Sequence, residues 1–123
     1  KVTSSKVMYK EMYPIIGELA HEAFWVVYLN NANKIIFKAQ LSKGGITGTV
    51  VDVRLVFKIA LEQNAVAIVL AHNHPSGKLQ ASEADIQVTK RIKNAGLQLD
   101  ISVLDHIIVT EHSYFSFADE GIL

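Results

Sequence analysis

The chain contains no cysteine, only 2 prolines and 1 tryptophan in 123 residues, and no excess of charge of either sign. The absence of cysteine excludes disulfides, a thiolate nucleophile, cysteine-ligated zinc and iron–sulfur clusters. Any metal held by this chain must therefore use His, Asp or Glu. The 12 basic residues are balanced by 12 acidic ones, which argues against a nucleic-acid or membrane-surface module, since such modules depend on a field of one sign. Apolar runs such as Ala65–Ala71 are far too short to cross a bilayer. No secretory leader pattern opens the chain. It begins on Lys1 and not Met, which reads as a piece of a longer protein, and the lack of cysteine fits the cytoplasm.

What is present has the balance of a globular domain: 50% apolar and 20% charged residues. A chain of this length makes one domain and can bury roughly 65–70% of the surface of its unfolded form. Ser4–Leu19 carries Met8, Met12, Ile15, Ile16 and Leu19 at helical spacing, with Pro14 expected to divide it into a helix, a kink and a second short helix. Ala23–Leu29 is apolar on both alternating faces, as in a central strand. The run Asn30–Asn33 marks a turn and Lys34–Leu41 a returning strand. Gly44, Gly45 and Gly48 mark a flexible connection. Asp52 is placed to cap a helix with a buried stripe of Val53, Val56, Phe57, Ala60 and Leu61, ended by Asn64. Ala65–Ala71 is a buried strand, His72–Ala81 a loop, and Ser82 the cap of a helix with Ala84, Val88, Ile92 and Ala95 inward and Gly96 as its stop. Leu99–Thr110 and Tyr114–Phe117 close the order as strands, giving an α/β sandwich with a mixed sheet in a single domain.

The chemistry is concentrated in His72-Asn73-His74-Pro75-Ser76-Gly77 and the Ser82-x-x-Asp85 that follows. Alternate side chains of an extended segment share a side, so His72 and His74 can present two imidazoles to one metal ion. Pro75 and Gly77 turn the chain, and the helix begun at Ser82 returns Asp85 to the same sheet edge. Two His and one carboxylate leave an open tetrahedral position, the composition of a catalytic zinc site, in which a bound water has its pKa lowered toward about 7. Glu22, immediately before a strand expected beside Ala65–Ala71, is the candidate proton carrier. Ser82 is the candidate oxyanion donor.

The spacing H-x-H-P, six residues, S-x-x-D, with an upstream Glu, resembles the JAMM (JAB1/MPN) metalloprotease signature. HNHPSG, with LDHIIV and YFSFADEG later in the chain, resembles the RadC-type branch over about Glu22–Leu123. The resemblance implies a cytidine-deaminase-like α-β-α sandwich, Zn2+ on His72, His74 and Asp85, Glu22 as general base and Ser82 stabilising the tetrahedral intermediate. It implies hydrolysis of a peptide or isopeptide bond in a protein substrate, a name tied to DNA repair, and a helix-hairpin-helix region ahead of this domain in full-length members. Direct nucleic-acid binding by this neutral chain is not expected; any such binding is expected in that other region. Two stretches depart from the branch, the first keeping only Arg54. Asp52-Val53-Arg54-Leu55 stands where His-Pro-Arg-Glu is common, and Ala81 where Pro is frequent.

Competing readings are weaker. Ser82-x-x-Asp85 is also a capping box, which is compatible with delivering Asp85 to a metal. His106 reads as a satisfied structural histidine, with a third metal ligand as the alternative, and His21 and His112 carry no partner signal. An HNH nuclease spreads its three residues over separate elements, and deaminase chemistry needs cysteines that are absent. Gly44–Thr49 lacks the Gly-Lys-Ser/Thr ending of a phosphate loop, and Lys90, Arg91 and Lys93 read as a solvated helix face. A DNA-repair accessory module or scaffold with a structural or vestigial metal site is the alternative to a zinc hydrolase.

Overall fold

The computed structural model of the chain describes residues 1–43 and 51–123. The glycine-rich connection and the rejected phosphate loop therefore lie outside the described residues. Helix α1 (Ser5–Ile16) is capped by Ser4, whose hydroxyl accepts from the Val7 N–H, and it buries Met8, Met12 and Ile16. Pro14 sits inside it without dividing it, and no second helix follows. The reason is position: Pro14 lies in the last turn, where its missing N–H costs a single bond and the Gly17 N–H still reaches the Tyr13 carbonyl.

Strands β1 (Ala23–Leu29) and β2 (Ile35–Lys43) form the expected hairpin. At its turn the Asn30 carboxamide oxygen accepts from the Ala32 and Lys34 N–H groups, and Asn33 adopts φ 57°. Helix α2 (Val53–Glu62) starts at Asp52, which accepts from the Arg54 N–H, and buries Val56, Phe57 and Ala60. Leu61, expected inside, is exposed: the buried stripe of this short helix ends at Ala60. Asn64, with φ 55°, turns the chain into β3 (Ala67–Asn73), which begins and ends two residues later than the apolar run suggested. Helix α3 (Glu83–Gln98), β4 (Ser102–Val109) and β5 (Tyr114–Ser116) complete the chain.

The five strands form one sheet in the order β2-β1-β3-β4-β5. Only β3 and β4 are parallel, joined by α3 as a crossover. Alternation along the central strands gives the sheet two apolar faces. Val27, Leu29, Val69, Ala71, Ile107 and Val109 pack on the Met8, Met12 and Ile16 stripe of α1. Phe24, Val26, Tyr28, Ile68 and Leu70 pack on Val56, Phe57 and Ala60 of α2 and Ile92 of α3. The result is the α/β sandwich with a mixed sheet expected from the order of elements, layered α-β-α as the resemblance implies. The buried Tyr28 hydroxyl donates to the Val56 carbonyl and ties β1 to the capped end of α2. Among the described residues no helix is long and apolar enough to cross a membrane.

Two expectations for α3 need correction. Its inward residues are Thr89, Ile92 and Gly96, while Val88 and Ala95 are half-buried and Ala84 is exposed. The buried face is thus rotated by about one residue from the apolar stripe, because it includes the polar Thr89. Gly96 is not the stop; the helix runs on to Gln98, and Asp100 supplies the left-handed residue with φ 56°. Gly96 is required because the chain doubles back: Ile101 N–H donates to the Gly96 carbonyl, and a Cβ at Gly96 would strike the Ile101 carbonyl oxygen. Helix propensity alone would make Gly96→Ala stabilising by about 1 kcal/mol. We predict the opposite sign, a loss of roughly 1–3 kcal/mol in urea unfolding from the backbone collision. An unchanged or higher midpoint would refute the close-approach account.

Candidate metal centre

The site grows from the end of β3. β1 pairs with β3 antiparallel, Phe24 opposite His72, so continuing the ladder brings Glu22 across from His74. β3 does not stop at Ala71. Its pairing with β4 continues to Asn73 opposite Val109, and the His74 N–H donates to the Val109 carbonyl. His72 is therefore a strand residue, 1% exposed, and not the first residue of a loop. Asn73 points to the opposite side. Its carboxamide oxygen accepts from the Ala23 N–H at 2.8 Å and its NH2 donates to the His21 carbonyl at 2.9 Å, which pins the residues flanking Glu22.

Helix α3 supplies the facing wall. Ser82 and Asp85 form a reciprocal capping box: the Ser82 hydroxyl accepts from the Asp85 N–H at 3.0 Å, and Asp85 Oδ2 accepts from the Ser82 N–H at 2.9 Å. The cap and the site are one structure. With its orientation so fixed, Asp85 places Oδ1 3.2 Å from His72 Nε2 and Oδ2 3.1 Å from His74 Nε2. The two Nε2 atoms are 3.0 Å apart. Glu22 Oε1 lies 3.9 Å from His74 Nε2, and Glu22, His72 and His74 offer ligand atoms all within 4.8 Å of one another. All five residues expected from the sequence thus meet at one place, with Ser82 at the rim. His106 is also there: it is fully buried, and its Nε2 lies 2.7 Å from His72 Nδ1. His112 lies elsewhere, exposed beside Glu111. Lys90 and Arg91 are exposed on α3, and Lys93 donates to the Leu123 carbonyl.

Hydrogen-bond accounting shows that the cluster fits a cation. His74 Nδ1 faces the Lys78 carbonyl at 2.9 Å. A carbonyl only accepts, so Nδ1 carries the proton and the neutral ring has its lone pair on Nε2. That lone pair points at the Asp85 carboxylate, which can only accept, and at His72 Nε2. Either a proton or a metal ion must lie among them.

The electrostatics agree. Burial opposes the charge of Asp85, but its contacts with the imidazoles of His72 and His74, together with the Ser82 N–H, outweigh it and hold the carboxyl well below the usual carboxylate range. Burial likewise works against a charged His74, but its bonds to Asp85 and the Lys78 carbonyl, with the charges of Asp85 and Glu22, raise its pKa. Burial, reinforced by His72, keeps His106 neutral by pushing its pKa well below the ordinary value. A cleft of about 550 Å3 opens over the cluster, lined by Glu22, Phe24, His74, Lys78, Ser82 and Asp85 among others.

Sequence reading missed Asn73, the Lys78 carbonyl and Thr89, whose hydroxyl lies 2.6 Å from His106 Nδ1. Alternation of side chains could have shown that Asn73 faces away from its two histidine neighbours; no local signal marks the other two.

The pKa shifts have a checkable sign in metal-free protein. Asp85 is depressed, so its contribution to stability is present above the unfolded value of 3.8 and lost as pH falls. His74 is raised, so its contribution is present below 6.5 and lost as pH rises through the folded value. In chelator, Asp85→Asn should therefore cost most stability near ~pH 5 and less at ~pH 8. Urea unfolding at both pH values checks this, and an equal cost at the two would contradict the pairing.

Comparison with known proteins places these observations in context. A family model described as "RadC-like JAB domain" matches residues 2–122. The chain is 64% identical over 122 residues to a "UPF0758 protein" of Flavobacterium johnsoniae, a match covering 99% of this chain and 53% of that protein. It is 45% identical over 123 residues to a "UPF0758 protein" of Porphyromonas gingivalis, covering 99% and 54%. It is 38% identical to one of Methanosarcina mazei, covering 100% and 54%. The chain thus spans about half the length of the curated relatives it matches.

Proposed function

This chain belongs to the RadC-like JAB domain family, and from that premise we propose that it is a zinc-dependent hydrolase acting on a peptide or isopeptide bond. One observation carries the reading. Two imidazole nitrogens and the Asp85 carboxylate converge within 3.2 Å, with a second carboxylate, Glu22, at 3.9 Å. His72, His74 and Asp85 would hold the ion. Two His and one carboxylate suit zinc and leave room for a further ligand. Zinc in such a site supplies Lewis acidity, making water nucleophilic near neutral pH.

The chain's own groups divide the remaining work. Asp85 is the better third ligand, because the capping box already fixes it and it touches both Nε2 atoms. Glu22, reaching the cleft from the start of β1, is left to accept a proton from the attacking water and to hand it to the leaving nitrogen. An amine leaves poorly as an anion, so that second transfer matters as much as the first. Ser82 Oγ accepts from Asp85 N–H, and its own proton can be donated to a carbonyl oxygen as negative charge develops there.

The cleft lining supports a peptide over a phosphodiester. Among the described residues Lys78 is its only cation, against Glu22 and Asp85. Apart from the ion itself, a polyanionic substrate would find only Lys78 there to neutralise it. The activity of the longer relatives as whole proteins is part of the same proposal.

Two measurements test it. Zinc content of the purified chain is expected to be near stoichiometric and to fall at least about tenfold in His74→Ala; equal content in both would remove the metal reading. Glu22→Gln should keep its zinc yet lose about 10²–10⁴-fold in hydrolysis of a mixed fluorogenic library of peptides and isopeptide-linked lysines. Hydrolysis that survives this substitution would overturn Glu22 as the base.

A further inference from the structure

We infer that Thr89 and His106 are positioning residues that hold His72 in the tautomer whose Nε2 carries a lone pair. This deepens the metal reading above and rests on it. The argument is a chain of hydrogen bonds in which only one direction is possible.

The chain starts at a group that cannot donate. The Asp85 backbone carbonyl lies 2.6 Å from Thr89 Oγ1, so the threonine hydroxyl proton is committed there. Thr89 Oγ1 also lies 2.6 Å from His106 Nδ1. The hydroxyl has a lone pair left and no proton, so His106 Nδ1–H must donate to it. His106 is fully buried between Phe24 and Phe117, its ring stacked on Phe117 at 4.5 Å. A neutral imidazole carries one N–H, so His106 Nε2 accepts. His72 Nδ1, 2.7 Å away, must then be the donor. That leaves His72 Nε2 bare and facing Asp85.

His74 reaches the same tautomer by a shorter route, its Nδ1 donating straight to the Lys78 carbonyl. The difference follows from geometry. His74 lies past the end of β3, where a loop carbonyl can turn toward it. His72 stands out of the sheet, whose carbonyls lie in the sheet plane and are taken by the flanking strands. It therefore needs a partner from β4, and that partner needs one from α3.

The alternative tautomer explains why the order matters. If His106 carried its proton on Nε2, it would donate to His72 Nδ1, and the His72 proton would sit on Nε2, where a metal must bind. Thr89 is the residue that prevents this. One helix, α3, thus supplies both a ligand, Asp85, and the group that orients another.

The test reads the tautomer directly. Long-range proton–nitrogen NMR of the metal-free chain at a pH where His72 is neutral is expected to show His72 protonated on Nδ1 and bare on Nε2. Thr89→Val keeps the shape and removes the acceptor. It should let the Nε2–H form of His72 appear and weaken zinc binding by about 10–100-fold in a competition titration. Thr89→Ser, which retains the hydroxyl, should restore both. If Thr89→Val does not fold, His106→Leu asks the same question, with His106→Gln, whose amide can accept from His72 and donate to Thr89, as the rescue. Wild-type His72 protonated on Nε2 would overturn the inference, as would a valine variant with unchanged tautomer and affinity. A wild-type chain with the expected tautomer but no zinc affinity would instead overturn the metal reading and leave the relay standing.

Discussion

The site depends on the register between β1 and β3. Phe24 opposite His72 puts Glu22 across from His74, which brings that carboxylate to the histidines. The register matters because side chains alternate: a slip of one residue would turn His72 and His74 toward α1 and bring Asn73 to the site. Two constraints oppose such a slip. The apolar faces differ, with Phe24, Val26 and Tyr28 shaped to one core and Val27 and Leu29 to the other. Asn73 also bonds both the Ala23 N–H and the His21 carbonyl, a pairing available in only one register.

Stability and the candidate site use the same groups here. The capping box satisfies two backbone donors at the start of α3 and, in doing so, aims the Asp85 carboxylate at two imidazoles. The positive end of the helix adds to the stabilisation of that negative charge. Thr89, Ile92 and Gly96 continue along the same face, so one helix carries the carboxylate that meets the two imidazoles, a hydroxyl beside His106, a core residue and a point of close backbone approach. A capping pattern and a metal pattern are therefore a single arrangement seen from the backbone and from the side chains.

The histidine cluster is unusual mainly in how little freedom it has. His72 and His74 are each tied through Nδ1, to His106 and to the Lys78 carbonyl, and their Nε2 atoms face Asp85. In a chain without cysteine, neutral nitrogens and carboxylates have to provide the whole ligand set. They can do so only if the protons are kept off the inward-facing atoms. The relay inferred above gives a role to His106 and Thr89, polar residues buried inside an otherwise apolar face.

Much of this could be read from the chain alone, because the signals involved are local. The bounds of β1, the caps at Asp52 and Ser82, and the same-side placement of His72 and His74 follow from periodicity and turn chemistry over a few residues. The grouping of Glu22, His72, His74, Ser82 and Asp85 came from spacing together with a family resemblance. Tertiary structure decided the rest. Whether β3 ended at Ala71 or Asn73 depended on a ladder to β4, more than thirty residues away in the chain. Whether Gly96 stopped a helix or made room for one depended on the path of Ile101. Which nitrogen of His72 carries a proton depended on His106 and Thr89, which share no motif with it. Local patterns record what a residue needs; which distant group meets that need is set only when the strands and helices pack together.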